Sequence, residues 1–544
     1  MLRVRRLGTV PYEEGQVLSR ALAQRARDDY LLILEHPAVY TLGVRAKPEH
    51  LLVAPEELRA EVVVSDRGGD VTYHGPGQLI VYPIVTVPGS PSAGRDHVRR
   101  LEQTVIDCLA GLQVQDCGRL DPYPGVWLEA SSARPVKIAA VGVRTKRVPD
   151  GRRRTLHGIA LNVDCDLTMF ERIVPCGISE LPVGSLASHG YHISMSQVSD
   201  ALVAAAARRF GPVSDDCAVS APRSANLLEG TRSERAPLRR LREAGVQVDA
   251  SVELKARKPP WLRAPMHMGE GYRSVAKTVS SLSLHTVCEE AGCPNISECW
   301  SEGTATFMVN GSRCTRACGF CLVDTRHPLP LDPQEPHRVG LAVAAMDLEH
   351  AVVTCVARDD LPDGGAGAIA ATVESIRAHR PGTAVEILIS DCKGDPSALD
   401  LVFAQRPEVL NHNIETVARL QRAVRPSARY ARSLGVLARA ADAGLVVKSG
   451  LMVGLGETEG EVISTLSDLC SVGVRIVTIG QYLRPSAAHL PVARWWRPEE
   501  FERLAAIGRA LGLAHVESSP LTRSSYHARG AARAANAEPA QSAS

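Results

Sequence analysis

Six of the fourteen cysteines fall between Cys288 and Cys321. Cys314-Thr-Arg-Ala-Cys318-Gly-Phe-Cys321 sets three thiols at C-x3-C-x2-C spacing on one stretch of loop. Three thiolates can hold three irons of a [4Fe–4S] cube and leave the fourth iron open to a cofactor. A zinc site usually wants four closed ligands in C-x2–4-C pairs, so zinc fits this triad less well. A second triad, Cys288, Cys293 and Cys299, precedes it at C-x4-C-x5-C spacing. Two cube-sized triads within about 35 residues are hard to explain as core packing.

The N-terminal half carries a different chemistry. Cys176 stands in Ile173-Val-Pro-Cys176-Gly177-Ile, between proline and glycine. A thiol held in a turn is more accessible than one in apolar company. Lys137 stands at the lip of the apolar run Val136-Lys-Ile-Ala-Ala-Val141. An ammonium beside a thiol favours the thiolate and makes an acyl acceptor, although spacing alone does not show that the two meet. Arg67-Gly68-Gly69-Asp70-Val-Thr-Tyr73-His74-Gly75-Pro-Gly77-Gln78 has the profile of a loop whose backbone approaches a ligand, a tight hairpin being the other reading. His157-Gly158-Ile-Ala-Leu-Asn162 is a further polar start to an apolar run.

The elements that must position these groups fall into two sets. A chain of 544 residues exceeds one hydrophobic core. Its net charge of +2, with 22% charged and 45% hydrophobic residues, excludes a polybasic nucleic-acid binder and a disordered chain. No apolar run reaches the roughly 18 residues of a membrane span, no export signal precedes the first strand, and the cysteines are not those of a small secreted framework; the expectation is a cytoplasmic protein without membrane or nucleic-acid partners. Residues 1–215 read as an α/β domain with strand-like runs at Leu31–Leu34, Val62–Val64, Leu79–Val85 and Ile138–Val143 and a helix over Asp96–Gly111. Residues 216–245 read as a linker, a surface helix at 236–244 being the alternative. From residue 246 to 528, runs at Ala351–Cys355, Val385–Ser390, Val409–Asn413, Val446–Val453 and Ile476–Ile479 alternate with helix-length segments such as Thr416–Ala423 and Glu459–Val472, which predicts a partial parallel β/α barrel. Residues 529–544 are rich in Ala, Gly and Ser and read as a disordered tail. The run Arg144, Lys146, Arg147, Arg152, Arg153 and Arg154 flanks a Pro-Asp-Gly turn, so it falls on a hairpin; a solvated surface is the default and docking of an acidic carrier protein the alternative.

The C-x3-C-x2-C loop resembles the radical S-adenosylmethionine superfamily, and the preceding C-x4-C-x5-C run narrows the resemblance to lipoyl synthases over about 258–528. Lys258-Pro-Pro-Trp261, Arg358-Asp-Asp-Leu-Pro-Asp-Gly364-Gly365, Asn411-His-Asn413-Ile-Glu415-Thr416, Gly450-Leu-Met-Val-Gly454-Leu-Gly-Glu457 and Arg523-Ser524-Ser525-Tyr526 are its other landmarks. The resemblance implies two [4Fe–4S] clusters. One, on Cys314, Cys318 and Cys321, binds S-adenosylmethionine, whose reductive cleavage gives a 5′-deoxyadenosyl radical. The other is an auxiliary cluster on Cys288, Cys293, Cys299 and a serine, Ser524 with Ser525 kept open, whose sulfides are consumed. It further implies an electron donor and cofactor contacts from Gly364, Gly365, Asn413, Glu415, Gly454 and Glu457. Ala357 and Ala368 stand where the family usually has an aspartate and a histidine, which puts affinity in question rather than reaction type.

Residues 1 to about 210 are similar to octanoyl transferases, whose fold is that of biotin and lipoate ligases. That resemblance implies a Lys137–Cys176 dyad taking octanoate from acyl carrier protein as a thioester and passing it to a lysine of lipoyl domains, those of 2-oxoacid dehydrogenase complexes and the glycine cleavage H protein. It also implies substrate contacts from Arg67, Gly68, Gly69, Tyr73, His74, Gly75, Gly77, His157 and Gly158. The two resemblances describe consecutive steps on one carrier. An ATP-dependent ligase in the first half, another radical enzyme in the second, and a non-enzymatic metal-binding scaffold are the rival readings.

Overall fold

The structure is a computed structural model describing residues 1–90, 92–215, 232–248, 251–263, 269–290, 292–301 and 305–537. It divides into two compact units, Met1–Ala218 and Val219–Ser544.

The first unit opens as a parallel crossover: strand Leu2–Thr9, helix Tyr12–Arg25, strand Asp29–Glu35. Its second strand is buried on both faces, which is why Leu31–Leu34 reads as an unbroken apolar run. Around it a mixed sheet runs in the order Val213–Ser214, Leu2–Thr9, Asp29–Glu35, Gln78–Ile84, Arg153–Asn162, Val136–Arg147, Tyr123–Leu128, Cys117–Leu120. Leu2, Val4, Leu31, Ile33, Leu79 and Val81 meet Leu101, Val105, Val198 and Leu202 of helices Ala93–Gly111 and Met195–Phe210 in one core. A separate three-stranded sheet, Glu61–Val64, Val39–Leu42, Val71–His74, carries a smaller apolar cluster with Tyr40, Tyr73, Phe170 and Ile173. The basic run does lie on a hairpin, but strand alternation turns Arg154 inward, where it is fully buried and donates to the carbonyls of Ala26, Asp28 and Ile84.

The second unit is an open eight-stranded sheet, ordered as in the sequence from His285–Thr286 through Thr306–Val309, His350–Cys355, Ala384–Leu388, Val409–Asn411, Val447–Val453 and Ile476–Gln481 to His515–Ser518. The first pair is antiparallel and every later pair parallel. Helices such as Glu335–Ala345, Ala366–His379, Tyr430–Asp442 and Glu459–Ser471 form the crossovers of a partial β/α barrel.

Three expectations change. The segment read as one helix over Thr416–Ala423 breaks into the 3-10 turn Ala418–Leu420 and the short helix Gln421–Val424, because Pro426 forces the preceding Arg425 out of helical geometry; the crossover helix is Tyr430–Asp442. Within the segment read as linker, residues 216–231 lie outside the described residues, but Arg232–Glu243 is a helix whose Leu241 is fully buried. Arg419 donates to the Ala244 carbonyl and Gly456 abuts Val246, so this stretch packs on the second unit; its many arginines hide the apolar spacing. The tail begins as helix Ala528–Ala537, with 538–544 outside the described residues. Alanine is the strongest helix former, and Ala531, Ala532 and Ala535 pack on Val409 and Ile476. Among the described residues no helix is long and apolar enough to cross a membrane. Ala531→Glu, which sets an unpaired carboxylate into this contact, should lower the stability of the second unit by on the order of 3 kcal/mol, read as a lower denaturation midpoint and faster proteolysis within 528–537.

Candidate active sites

In the first unit, Cys176 sits at the tip of the turn Pro175–Gly177 with φ of 57°, followed by Gly177 at 71°. Two successive left-handed residues lift the thiol out of the chain's path and leave it part exposed. The turn is fastened to the segment around His50: Leu51 and Ile173 form an antiparallel bridge, Val174 N donates to the His50 carbonyl at 2.8 Å, and Leu52 N donates to the Arg172 carbonyl at 2.9 Å. A Cβ on Gly177 would lie 2.8 Å from Asp70 Oδ2 and 3.3 Å from His50 Cε1.

Lys137 comes from the strand Val136–Arg147. It is 5% exposed, and its Nζ stands over the Trp127 ring at 5.4 Å from the centroid. Gly125 leaves the room, since a Cβ there would fall 2.7 Å from Lys137 Cε. Lys137 and Cys176 line one cavity of about 540 Å³, together with Arg67, Gly68, Gly69, His74, His157, Gly158 and the apolar side chains Ile80, Val141 and Ile178. Tyr73, Gly75 and Gly77, expected as substrate contacts, do not line it. Strand alternation gives Thr72 and His74 to the cavity and turns Tyr73 toward Tyr40 and Phe170. Gly75 makes room for the Tyr73 hydroxyl and Gly77 for the Asp164 carbonyl.

Two of the basic groups are framework. Arg67 is buried and gives its protons to Thr41 Oγ1 (3.0 Å), the Thr41 carbonyl (2.6 Å) and the Gly68 carbonyl (3.2 Å). Burial pulls its pKa below the ordinary value, and the first of the groups opposing that is the Cys176 thiol. Burial likewise pulls His74 down to about 3, so the ring is neutral and serves as a hydrogen-bonding strut: His74 Nδ1 meets Gln78 Oε1 at 2.8 Å, Gln78 donates to Asn162 Oδ1 at 2.8 Å, and Asn162 donates to the Gly184 carbonyl at 2.8 Å. Gly184 N in turn donates to the Lys137 carbonyl at 3.0 Å, so the polar loop and the lysine strand are held in one network.

In the second unit the cysteine loop is fixed at the carboxyl ends of the parallel strands. Cys314 N donates to the Asp324 carbonyl at 2.8 Å, Thr315 N to Ala357 at 3.0 Å and Gly319 N to Val424 at 2.8 Å. Inside the loop, Arg316 grips Asp359 at 2.7 Å and Asp391 at 2.6 Å. Burial alone would raise Asp391, but Arg316 holds it down to about 2. Cys314, Cys318 and Cys321 open on a cavity of about 360 Å³ on the inner face of the sheet, which Cys288, Cys293, Asn413, Glu415, Ser524 and Ser525 also line. A small adjoining cavity brings Cys288, Cys293 and Cys299 together with Arg523, Ser525 and Tyr526. Ser525 therefore shares this space with the whole triad, whereas Ser524, the serine expected there, accepts from Asn413 Nδ2 at 2.7 Å.

These thiols fit iron–sulfur clusters. None of the six is in a disulfide, and each lines a cavity wall. Asn413 Oδ1 is buried without a partner beside the cysteine loop, an acceptor left for a ligand's donor. Burial pushes Cys321 up to about 12 and raises Cys318, Cys288 and Cys293, so cluster assembly must release protons. Of the other expected cofactor contacts, Gly364, Gly365, Gly454 and Glu457 do not line the cavity. Gly365 packs on Asn310, a Cβ on Gly454 would strike Gln481, and the Glu457 carboxylate turns back to accept from Gly454 N (2.5 Å) and Leu455 N (2.9 Å). Three groups that sequence reasoning passed over stand out. His50 carried no motif signal, although its partner Asp70 lies in the glycine-rich loop; Arg316 lay hidden inside the cysteine spacing; and Lys448, paired at 2.8 Å with cavity-lining Glu386, falls in a strand.

An acylation-type α/β domain and a cluster-bearing radical barrel are the classes that fold and sites define. The comparisons agree. The model of the lipoyl protein ligase A/B catalytic domain matches residues 12–207, that of the N-terminal domain of lipoyl synthase 213–293, and that of the radical SAM superfamily 308–469. The lipoyl synthase of Rubrobacter xylanophilus is 57% identical over 273 residues, covering 50% of this chain and 85% of that protein. The lipoyl synthase of Mycobacterium tuberculosis is 54% identical over 272 residues, covering 50% and 88%. A bipartite lipoate protein ligase from Thermoplasma acidophilum aligns at 16% identity and a TM-score of 0.33, over 40% of this chain and 85% of that one, too distant to add to the assignment. The chain belongs to the lipoyl synthase family, with a lipoate ligase/transferase-type catalytic domain in front of the synthase. It is a bifunctional enzyme of lipoate biosynthesis whose synthase half uses S-adenosylmethionine and [4Fe–4S] chemistry. Gly177→Ala, which drives a methyl into Asp70 and forbids the left-handed turn, should slow alkylation of Cys176 by iodoacetamide at least tenfold while leaving the second unit's iron content unchanged.

Proposed function

We propose that the first unit moves octanoyl from acyl carrier protein to a lysine of a lipoyl domain through a thioester on Cys176, and that the second inserts sulfur at C6 and C8 of the octanoyl group using two clusters. The observation that carries the reading is the convergence of the chemistry in each unit: Lys137 and Cys176 face one cavity with apolar walls, and Cys314, Cys318 and Cys321 face another that Cys288 and Cys293 also line, with Cys299 in the small cavity adjoining it. In the first cavity the turn exposes the thiol beside Lys137 and Arg67, and Ile80, Val141 and Ile178 offer an apolar surface for the acyl chain. The Cys176 sulfur attacks the donor's thioester carbonyl and the carrier's C–S bond breaks, releasing the carrier thiol; the acceptor amine then displaces Cys176, forming an amide and returning the thiol.

In the second cavity Cys314, Cys318 and Cys321 would hold one cluster, and Cys288, Cys293, Cys299 and Ser525 the other. S-adenosylmethionine with its cluster supplies radical chemistry when bound, and an electron donor is needed. Asn413 and Glu415 offer hydrogen-bonding groups at the cavity wall. The Arg316 ion pairs hold the cysteine loop still, while Met308, Leu388 and Met452 keep the interior apolar. The acceptor proteins would be the lipoyl domains of 2-oxoacid dehydrogenase complexes and the glycine cleavage H protein, modified in the cytoplasm.

Anaerobic incubation with octanoyl-carrier protein, a lipoyl domain, S-adenosylmethionine and reductant, followed by intact mass, tests both halves together. Cys176→Ala should abolish octanoylation yet still sulfurate a pre-octanoylated domain; an acyl adduct on another cysteine would overturn the assignment. Iron should be about eight per chain after full reconstitution. Ser525→Ala should lose iron and sulfide from the auxiliary cluster faster than Ser524→Ala, measured as chelator-accessible iron over time; the reverse order would return the ligand to Ser524.

A further inference from the structure

The hydrogen-bonded pair His50–Asp70 is not among the groups the transfer reaction has been given. Its His50 Nδ1 meets Asp70 Oδ2 at 2.7 Å, with side-chain exposures of 16% and 11%. Both line the cavity of Cys176 and Lys137. Its closeness to the thiol is a backbone property: the Leu51–Ile173 bridge and the bond from Val174 N to the His50 carbonyl run the two segments side by side, and Gly177 has no Cβ where one would press on Asp70 Oδ2 and His50 Cε1. An aspartate on Nδ1 fixes the ring's orientation and leaves Nε2 as the basic nitrogen, the arrangement of a general base and its orienting carboxylate.

The neighbouring histidines are differently committed. His36 spends both ring nitrogens, on the Val10 carbonyl and the Tyr82 hydroxyl, and His74 is turned to Gln78 and Thr41. His157 pairs with Asp66, but that carboxylate is also shared with Arg144 and Arg20. Among the described residues, only the His50–Asp70 pair is braced against the thiol turn by backbone bonds.

From this geometry we infer that His50 is the general base of the second half-reaction and Asp70 its positioning residue. The inference rests on the thioester reading above. The acceptor's neutral lysine amine forms the C–N bond at the thioester carbonyl; its surplus proton passes to His50 Nε2. The C–S bond breaks, the electron pair leaves on Cys176 Sγ, and the proton returns from Nε2 to that thiolate. Lys137, over the Trp127 ring, lines the same cavity, and the proton transfer of this half-reaction falls to His50.

The experiment uses the full chain and separates the half-reactions by rapid quench and intact mass: loading of octanoyl on Cys176 from octanoyl-carrier protein, then transfer from the isolated acyl-enzyme to a lipoyl domain. His50→Ala should slow transfer roughly 100-fold while loading slows less than tenfold, and added imidazole should restore transfer. Asp70→Asn, of the same size, should slow transfer in the same sense and flatten its rise with pH. Equal slowing of both halves, transfer at the wild-type rate, or no response to imidazole in a variant that still loads would overturn the role of His50. Absence of any adduct on wild-type Cys176 would instead overturn the thioester reading itself.

Discussion

Arg316 stands between the first and second cysteines of the C-x3-C-x2-C loop, and the second unit is organised around what holds it. Its guanidinium bridges Asp359, after the strand His350–Cys355, and Asp391, after the strand Ala384–Leu388. Each carboxylate belongs to a different crossover, so one buried cation ties three strand ends together. A buried charge without such partners is strongly unfavourable, and losing Arg316 would leave Asp391, fully buried, without its nearest cation. The loop's position is thus set by an ion-pair network in which each member depends on the others, and three thiols reach the cavity as a rigid set.

The first unit meets a similar demand by backbone means. Cys176 must be accessible and yet fixed, and the left-handed pair Cys176–Gly177 supplies the first requirement while the bridge between Leu51 and Ile173 supplies the second. Lys137 is carried by a strand whose ladder continues into the Val183–Gly184 segment. Buried histidines around it are neutral struts rather than proton carriers, because desolvation removes the charged form. His50 differs in staying partly open to the cavity while holding a carboxylate, that of Asp70.

Glycines that look like ligand loops in a sequence divide here by what a methyl would strike. Gly68 and Gly69 line the first cavity. Gly454 and Gly456 instead let Gln481 and Val246 pack against the turn, and Glu457 closes it from within. The Gly364–Gly365 turn starts the helix Ala366–His379 and packs on Cys392 and Asn310. The chain reads identically in each case; the difference is the neighbour brought up from a distant segment.

The sequence by itself determined the chemistry that depends on local spacing. The thiols of 314–321 and 288–299, the proline- and glycine-flanked Cys176, and the alternation of short apolar runs with helical segments all express contacts within a few turns of chain, and so did the two-part organisation. Only the tertiary structure decided which groups meet. It brought Ser525 into the small cavity of the whole auxiliary triad and Ser524 against Asn413, turned Tyr73 away from the cavity by strand parity, packed the helices Arg232–Glu243 and Ala528–Ala537 within the second unit, and braced His50 and Asp70 against the thiol turn. The reason is physical: spacing within one loop sets which thiols stand together, whereas groups from distant segments are joined only when strand pairing and burial close the intervening chain.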